Sequence, residues 1–254
     1  MPPRAALAPR TATALRWPFG IALTAWSYMW RTTPMHRREH AGSVGDDAPP
    51  PIPADVDPAR VQRWEAGHGP LFHRRYAVRI ADSALSAEQL MSELQADPNV
   101  AAPSAFASFH KVLGDGGAMR VGDEYVVRMP GPWDGPVRVI AVDGASYRMA
   151  TLESHLEAGQ IRAAAADNGP VVEFVVESWA RSGDRLSELL HGRLHIAKEV
   201  QLHMWTSFLE RVVALCHGRM EDGISITTWR IDERAPSNDA GERTRTSTAG
   251  ATGS

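Results

Sequence analysis

The chain has 254 residues, of which 43% are hydrophobic and 22% are charged, a composition typical of a globular protein. Its net charge of −3 and its pI of about 6.4 give no overall basic field, so we expect no nucleic-acid partner. The single cysteine, Cys216, excludes an intrachain disulfide and a cysteine-based zinc cluster.

Residues 1–35 are predicted to form an N-terminal arm that contains an apolar segment at 17–30. As a helix this segment would be about 21 Å long, which is shorter than the hydrocarbon core of a bilayer, about 30 Å. Tryptophans near its ends and the flanking Arg16 and Arg31 are compatible with an anchor that lies on a membrane surface. A segment that packs on the folded domain, or an unstructured arm, is the other interpretation.

Composition divides the rest of the chain into three parts. Residues 36–63 are rich in proline and show no hydrophobic periodicity, which predicts a linker. Residues 64–232 are predicted to form a single domain. Residues 233–254 are rich in Ser, Thr, Gly and Arg, which predicts a disordered tail.

The first part of the domain shows a strand and two short helices. Alternation over 76–80 predicts a strand. Ser86 with Gln89 three positions later forms a capping box, which predicts a helix over 87–95. A second short helix is predicted between Pro103 and Gly114, with Phe106, Phe109 and Leu113 on one side.

After this region, the spacing of the apolar residues changes from the helical period to the alternation typical of strands. Five segments separated by tight turns predict an antiparallel meander over 121–129, 137–142, 147–153, 160–166 and 171–180. A short helical passage follows at 182–191, then the longest helix at 196–217 and a last strand at 224–231. The predicted fold is α+β, with a curved antiparallel sheet wrapped around one long helix.

The long helix carries an apolar arc that includes Trp205 and Phe208. Gln201 lies in the middle of that arc, where it either ties the helix to the sheet or faces the polar contents of a cavity. On the opposite side, a polar stripe that includes His203 and Thr206 is predicted to face solvent.

Strand 171–180 places Glu177, Trp179 and Arg181 on the face opposite to Phe174. Arg162 of the preceding strand is a predicted neighbour of Glu177. These residues form either a solvated face with ion pairs or the rim of a pocket.

His155 and Glu157 lie in a bend between two strands. They are interpreted either as an acid/base pair or as a hydrogen bond that closes the loop. His191 and His195 have no carboxylate at a known metal-ligand spacing, so we expect no metal, and no cofactor motif is present.

Five blocks in order resemble a known but uncharacterised family, "domain of unknown function nineteen-ninety". They are Gly122-Asp-Glu, Pro130-Gly-Pro-Trp-Asp-Gly-Pro-Val137, His155-Leu-Glu-Ala-Gly-Gln-Ile161, Glu177-Ser-Trp-Ala-Arg-Ser182 and Lys198-Glu-Val-Gln-Leu-His-Met-Trp205. The resemblance, which covers about residues 71–230, implies membership of the helix-grip superfamily of START domains, pollen allergens and polyketide cyclases. It implies a cavity for lipids or other apolar molecules between the sheet and the long helix. Helix-grip folds usually end on that helix, whereas this chain adds the strand 224–231.

These observations predict a non-catalytic protein that binds a small apolar or amphipathic ligand between the sheet and the long helix. The candidate ligand-binding residues are Trp133, His155, Glu177, Trp179, Arg181, Gln201, Trp205 and Phe208. One alternative is an enzyme of cyclase or hydrolase type that uses His155 with Glu157 or Glu177. A third is an interaction module tethered to a partner or a membrane by residues 17–30. The expected location is the cytoplasm, at the inner face of the membrane if that segment is an anchor.

Overall fold

A computed structural model describes residues 33–103, 107–128, 134–183 and 191–232, with the backbone alone for residues 191–201. The apolar segment 17–30, most of the predicted helical passage 182–191 and the predicted tail 233–254 lie outside these ranges. Within them, no helix combines the length and the apolar character needed to cross a membrane.

Nine strands and three helices make up the described part of the chain. The helices are α1 (Val44–Asp47), α2 (Ala87–Ala96) and α3 (His191–Leu215), with 3-10 turns at Trp64–Ala66 and Pro98–Val100. The strands are β1 (Met35–Ala41), β2 (His68–Ala81), β3 (Ser108–Leu113), β4 (Glu124–Arg128), β5 (Asp134–Asp143), β6 (Ser146–Thr151), β7 (Glu157–Asn168), β8 (Val171–Ser182) and β9 (Arg219–Ile231). They form one curved sheet in the order β1-β9-β2-β8-β7-β6-β5-β4-β3.

The meander from β4 to β8 confirms the sequence prediction, because each of these strands pairs antiparallel with the next. A sixth strand, β3, extends it, and here the predicted helix between Pro103 and Gly114 is wrong. Phe109 and Leu113 are four positions apart, a spacing that fits one side of a helix and also one face of a strand. Phe109 is opposite Val127 of β4, so sheet pairing decides between the two periods.

Two strands are added beyond the meander, on the far side of β2. The predicted last strand is confirmed as β9, which pairs antiparallel with β2. β1 pairs parallel with β9, so the sheet is mixed at this edge. The stretch 36–63, predicted to be a linker without regular structure, therefore contains most of β1 and all of α1. β1 reads Met-His-Arg-Arg-Glu-His-Ala and has no apolar alternation, which is common for an exposed edge strand.

One face of the sheet, here called the inner face, packs against α2 and α3. Residues of β2, β8 and β9 share a core with the long helix, including Val78, Phe174, Ile224 and Phe208. The capping box of α2 is present as predicted: the Ser86 side chain accepts from the amide of Gln89, whose side chain accepts from the amide of Ser86. The predicted α+β fold, a curved sheet wrapped around one long helix, is confirmed.

The opposite, outer face is partly covered by the segment that links β1 to β2. Val56 of this segment packs with Ile140 and Ala150 of the sheet. Arg138, buried on the same face, donates to Glu124 Oε1 at 2.6 Å. Its Nη1 also donates to the carbonyls of Asp57 at 2.6 Å and Ala59 at 2.9 Å, which fastens the segment to the sheet.

We predict that Arg138→Met lowers the free energy of unfolding by roughly 3 kcal/mol or more. Removing Arg138 leaves the buried Glu124 with only the half-exposed Arg60, 3.2 Å from its Oε2, and the carbonyls of Asp57 and Ala59 lose their donor. Urea denaturation followed by circular dichroism measures the effect. Arg120→Met is the matched control, because its contact with Asp115 is exposed on both sides and is expected to contribute less than about 1 kcal/mol. Equal losses in the two variants would contradict a structural role for the buried pair.

Candidate functional site

The inner face combines aromatic packing with buried polar groups. The ring of Phe208 on α3 lies 6.1 Å from that of Phe174 on β8, and the indole of Trp205 meets Phe208 edge-on at 5.9 Å. Both helix residues are buried, as predicted. The centre of the helix–sheet interface is therefore apolar and rich in aromatic rings.

Three buried polar residues, here called the inner donor cluster, belong to this face: Arg74 of β2, Ser178 of β8 and Trp205 of α3. Arg74 and Ser178 are directly opposite in the β2–β8 pairing, in phase with Tyr76 and Val176 of the core. Arg74 Nη1, Ser178 Oγ and Trp205 Nε1 are each buried without a hydrogen-bond partner among the described residues. Such groups are rare in folded proteins, because an unmet buried donor costs on the order of 1–3 kcal/mol.

Arg74 and Ser178 lie four residues along their strands from Val78 and Phe174, towards the end of the interface where α3 begins. Near the other end of the helix, the carbonyl of Cys216 accepts a hydrogen bond from the amide of Ala84, just beyond the end of β2. Phe208 packs beside Phe174, and Trp205 comes almost one helical turn earlier. Because helical side chains tilt towards the N-terminus of their helix, the indole of Trp205 leans towards the Arg74 and Ser178 end.

The outer face holds a different group around His73, here called the outer cluster. The imidazole is stacked between the indoles of Trp179, at 4.8 Å, and Trp229, at 4.6 Å. Its Nδ1 lies 3.7 Å from Asp47 Oδ1 of α1, and its Nε2 lies 3.5 Å from Glu177 Oε1 of β8. A carboxylate therefore faces each ring nitrogen, one from the covering segment and one from the sheet.

The outer cluster changes the acidity of Glu177. Hydrogen bonding with the His73 ring is the main influence that lowers the pKa of this carboxyl. Burial opposes the shift, while the charges of His73, Arg162 and Arg75 support it. The 3.5 Å separation from His73 is at the outer limit for a hydrogen bond, so we regard charge as the main part of that contact.

The predicted neighbour pair Arg162 and Glu177 is confirmed by the β7–β8 register, with 3.5 Å between Nη1 and Oε2. Arg181 is buried on the outer face, where its guanidinium lies over the ring of Trp64 at 4.9 Å. Glu177, Trp179 and Arg181 thus lie on the side of the sheet that faces away from α3. Strand alternation separates them from Trp205 and Phe208, so the structure does not bring the predicted ligand-binding residues together into one site.

His155 makes its polar contact with the backbone. Its Nδ1 accepts a hydrogen bond from the amide of Glu157 at 2.9 Å, which closes the bend before β7. Burial lowers the pKa of this histidine and so favours the neutral ring that such an acceptor requires. Glu177 is paired with Arg162, five residues along β7 from Glu157, which is roughly 16 Å of strand. This geometry favours the loop-closing interpretation over an acid/base pair.

Two other predicted residues cannot be placed. Trp133 lies outside the described residues, and so does the side chain of Gln201, although the backbone of that position belongs to α3. The polar stripe of α3 is partly corrected, because His203 and Thr206 are buried and not exposed to solvent. Thr206 donates to the carbonyl of Leu202 at 2.9 Å, so the helix backbone itself satisfies its hydroxyl.

Sequence reasoning missed Arg74, His73 and Trp229. The alternation of 76–80 continues backwards through β2 and would have assigned Arg74 to the core face and His73 to the opposite one. Ser178 was assigned to the same face as Phe174, and only its pairing with Arg74 makes it notable. No signal in the sequence shows that Trp229 meets His73, because β9 is distant from β2 along the chain.

No family model matches the chain, and no curated protein matches it. Solved structures of low similarity include a conserved protein from Geobacillus kaustophilus, which is 8% identical with a TM-score of 0.41 over 59% of this chain and 99% of that one. Norcoclaurine synthase from Thalictrum flavum, in complex with dopamine and hydroxybenzaldehyde, is 16% identical with a TM-score of 0.39 over 59% and 92%. Ginseng major latex-like protein 151 from Panax ginseng is 14% identical with a TM-score of 0.33 over 52% and 97%. Similarities this low transfer neither a ligand nor a reaction, so function must be argued from the residues of this chain.

We predict that Glu177→Gln lowers the free energy of unfolding at pH 7 by roughly 1–2 kcal/mol, because the carboxylate next to His73 and Arg162 is lost. The folded pKa of Glu177 lies below its ordinary value of 4.5, so its contribution is fully present above that pH. The contribution is lost as the pH falls through the folded pKa, and the wild-type and variant stabilities should converge there. Urea unfolding between pH 7 and pH 3 measures this.

Glu93→Gln, on the exposed side of α2, is the control and should differ little from wild type across the series. A difference between wild type and Glu177→Gln that does not change with pH would rule out the charge interaction.

Proposed function

We propose that the protein binds a small apolar or amphipathic ligand between the inner face of the sheet and α3. The inner donor cluster is the observation that carries the proposal. Arg74, Ser178 and Trp205 contribute buried polar atoms without partners among the described residues, on the side of the sheet that carries the aromatic packing of Phe174 and Phe208. Sites for small molecules characteristically combine an apolar lining with a few convergent polar groups.

The fold supports this arrangement. The sheet curves around the long helix, and residues of β2, β8 and β9 share a core with the described side chains of α3. A ligand that enters there would exchange water for apolar side chains, which supplies about 25 cal/mol per Å² of apolar surface buried. Its polar end would meet the unpaired donors.

The enzyme alternative has less support, because His155 and Glu177 lie far apart along the sheet and His155 accepts from a backbone amide. Membership of the uncharacterised family and a membrane tether through residues 17–30 stay predictions. The expected location in the cytoplasm, at the inner face of the membrane if that segment is an anchor, also stays a prediction.

Binding of the neutral fluorescent probe N-phenyl-1-naphthylamine tests the proposal. We predict saturable binding to the wild-type protein and a loss of affinity of roughly tenfold or more in Val176→Phe, which places a ring on the inner face. Val175→Phe is the matched control, since the neighbouring residue lies on the outer face and should leave binding unchanged.

Circular dichroism shows whether each variant is folded, because overpacking alone costs typically 1–3 kcal/mol. Absence of probe binding to the wild type, together with no co-purified molecule in native mass spectrometry, would overturn the proposed function. Equal losses in the two variants would place the site elsewhere.

A further inference from the structure

We propose that the ligand is an apolar carboxylic acid whose carboxylate is bound by Arg74, Ser178 and Trp205. This inference rests on the proposed function and specifies the chemical class of the ligand. It depends on the hydrogen-bonding character of the three groups and on the absence of a counterion for Arg74 among the described residues.

Arg74 is buried, with 9% of its surface exposed, yet its one described interaction is with an aromatic ring. The guanidinium carbon lies 4.7 Å from the centre of the Phe72 ring, and no carboxylate of the described residues lies within ion-pair distance. A guanidinium has five donors and no acceptor, so it cannot satisfy itself. A buried charge of this kind normally has a partner of opposite sign.

Arg138 shows how the same fold treats a buried arginine that has a structural role. It donates to Glu124 at 2.6 Å and to two backbone carbonyls. Arg74 has the same degree of burial, and none of these partners. The contrast indicates that the partner of Arg74 comes from outside the described chain.

The other two members of the inner donor cluster restrict the chemistry of that partner. The indole N–H of Trp205 can only donate, and the hydroxyl of Ser178 can donate as well as accept. Together with Arg74 they present several donors and one positive charge, which matches a group with one negative charge and several acceptor lone pairs. A carboxylate fits, and charge-assisted hydrogen bonds of this kind are roughly twice as strong as neutral ones.

A phosphate dianion fits less well. Arg74 is the only buried arginine or lysine on the inner face among the residues the structure describes, since Arg138 and Arg181 belong to the outer face. One guanidinium leaves the second charge of a dianion without compensation. The remaining surface towards Phe174 and Phe208 is apolar and suits a hydrocarbon chain or an aromatic ring.

Competition with N-phenyl-1-naphthylamine at pH 7.5 tests the inference with three competitors of equal chain length: decanoate, decan-1-ol and decyl phosphate. For the wild type we expect decanoate to bind at least about tenfold more tightly than decan-1-ol, as for a charge-assisted hydrogen bond, and more tightly than decyl phosphate. In Arg74→Met the preference for the acid over the alcohol should fall to within about twofold, while the affinity for the alcohol stays unchanged. Arg162→Met, on the outer face, is the control and should keep the wild-type preference.

Ser178→Ala provides a second variant if Arg74→Met does not fold, since it removes only a hydroxyl. It should weaken decanoate by about threefold or more and leave decan-1-ol unchanged. Equal affinities of the wild type for acid and alcohol, or a preference for decyl phosphate, would overturn the carboxylate assignment and leave the proposed function intact. Failure of the probe to bind at all would overturn both.

Discussion

The register of β2 between β8 and β9 is the constraint on which the rest of the structure depends. Tyr76, Val78 and Ile80 of β2 are directed to the core shared with α3, and the residues between them are directed to the other face. A slip of one residue would exchange the two sets, which would expose the core and bury Arg75 and Arg79. Because both edges of β2 are paired over many residues, such a slip would have to break two ladders at once. The register therefore fixes which side chains of β2 face α3 and which face the covering segment.

Covering the outer face makes the sheet buried on both sides near its centre. The segment between β1 and β2 is fastened by polar contacts as well as by the apolar packing of Val56: Arg138 binds its carbonyls, and Asp47 of α1 faces His73. This explains why Trp179 on the outer face of β8 is buried, as Phe174 is on its inner face. It also explains why Glu177 and Arg181, which resembled a solvated face in the sequence, are largely removed from solvent.

Local signals in the sequence predicted the meander, the capping box of α2, the long helix and the pairing of Arg162 with Glu177. Each of these depends on neighbouring residues or on a tight turn, so periodicity was sufficient. β3 was mistaken for a helix because Phe109 and Leu113 fit both periods, and β1 was missed because an exposed edge needs no apolar residues. For the site, Trp205 and Phe208 were identified by the apolar arc of α3. Arg74 and His73 were not identified, because the residues that surround them belong to β8, β9 and α1, which are distant from β2 along the chain.

His73 and Arg74 are consecutive residues on opposite faces, and the fold treats their charges in opposite ways. His73 has a carboxylate beside each ring nitrogen and an indole on each side of the ring. Among the described residues, the guanidinium of Arg74 interacts with the ring of Phe72 alone. Burying an unpaired charge lowers the stability of a protein, whereas burying an apolar side chain raises it. If position 74 served only to fill the core, an apolar residue of similar length would therefore give a more stable protein. The inner face keeps a charge that its own described residues do not neutralise. A permanent positive charge beside an aromatic interface is what a ligand with an apolar body and a negatively charged end would require.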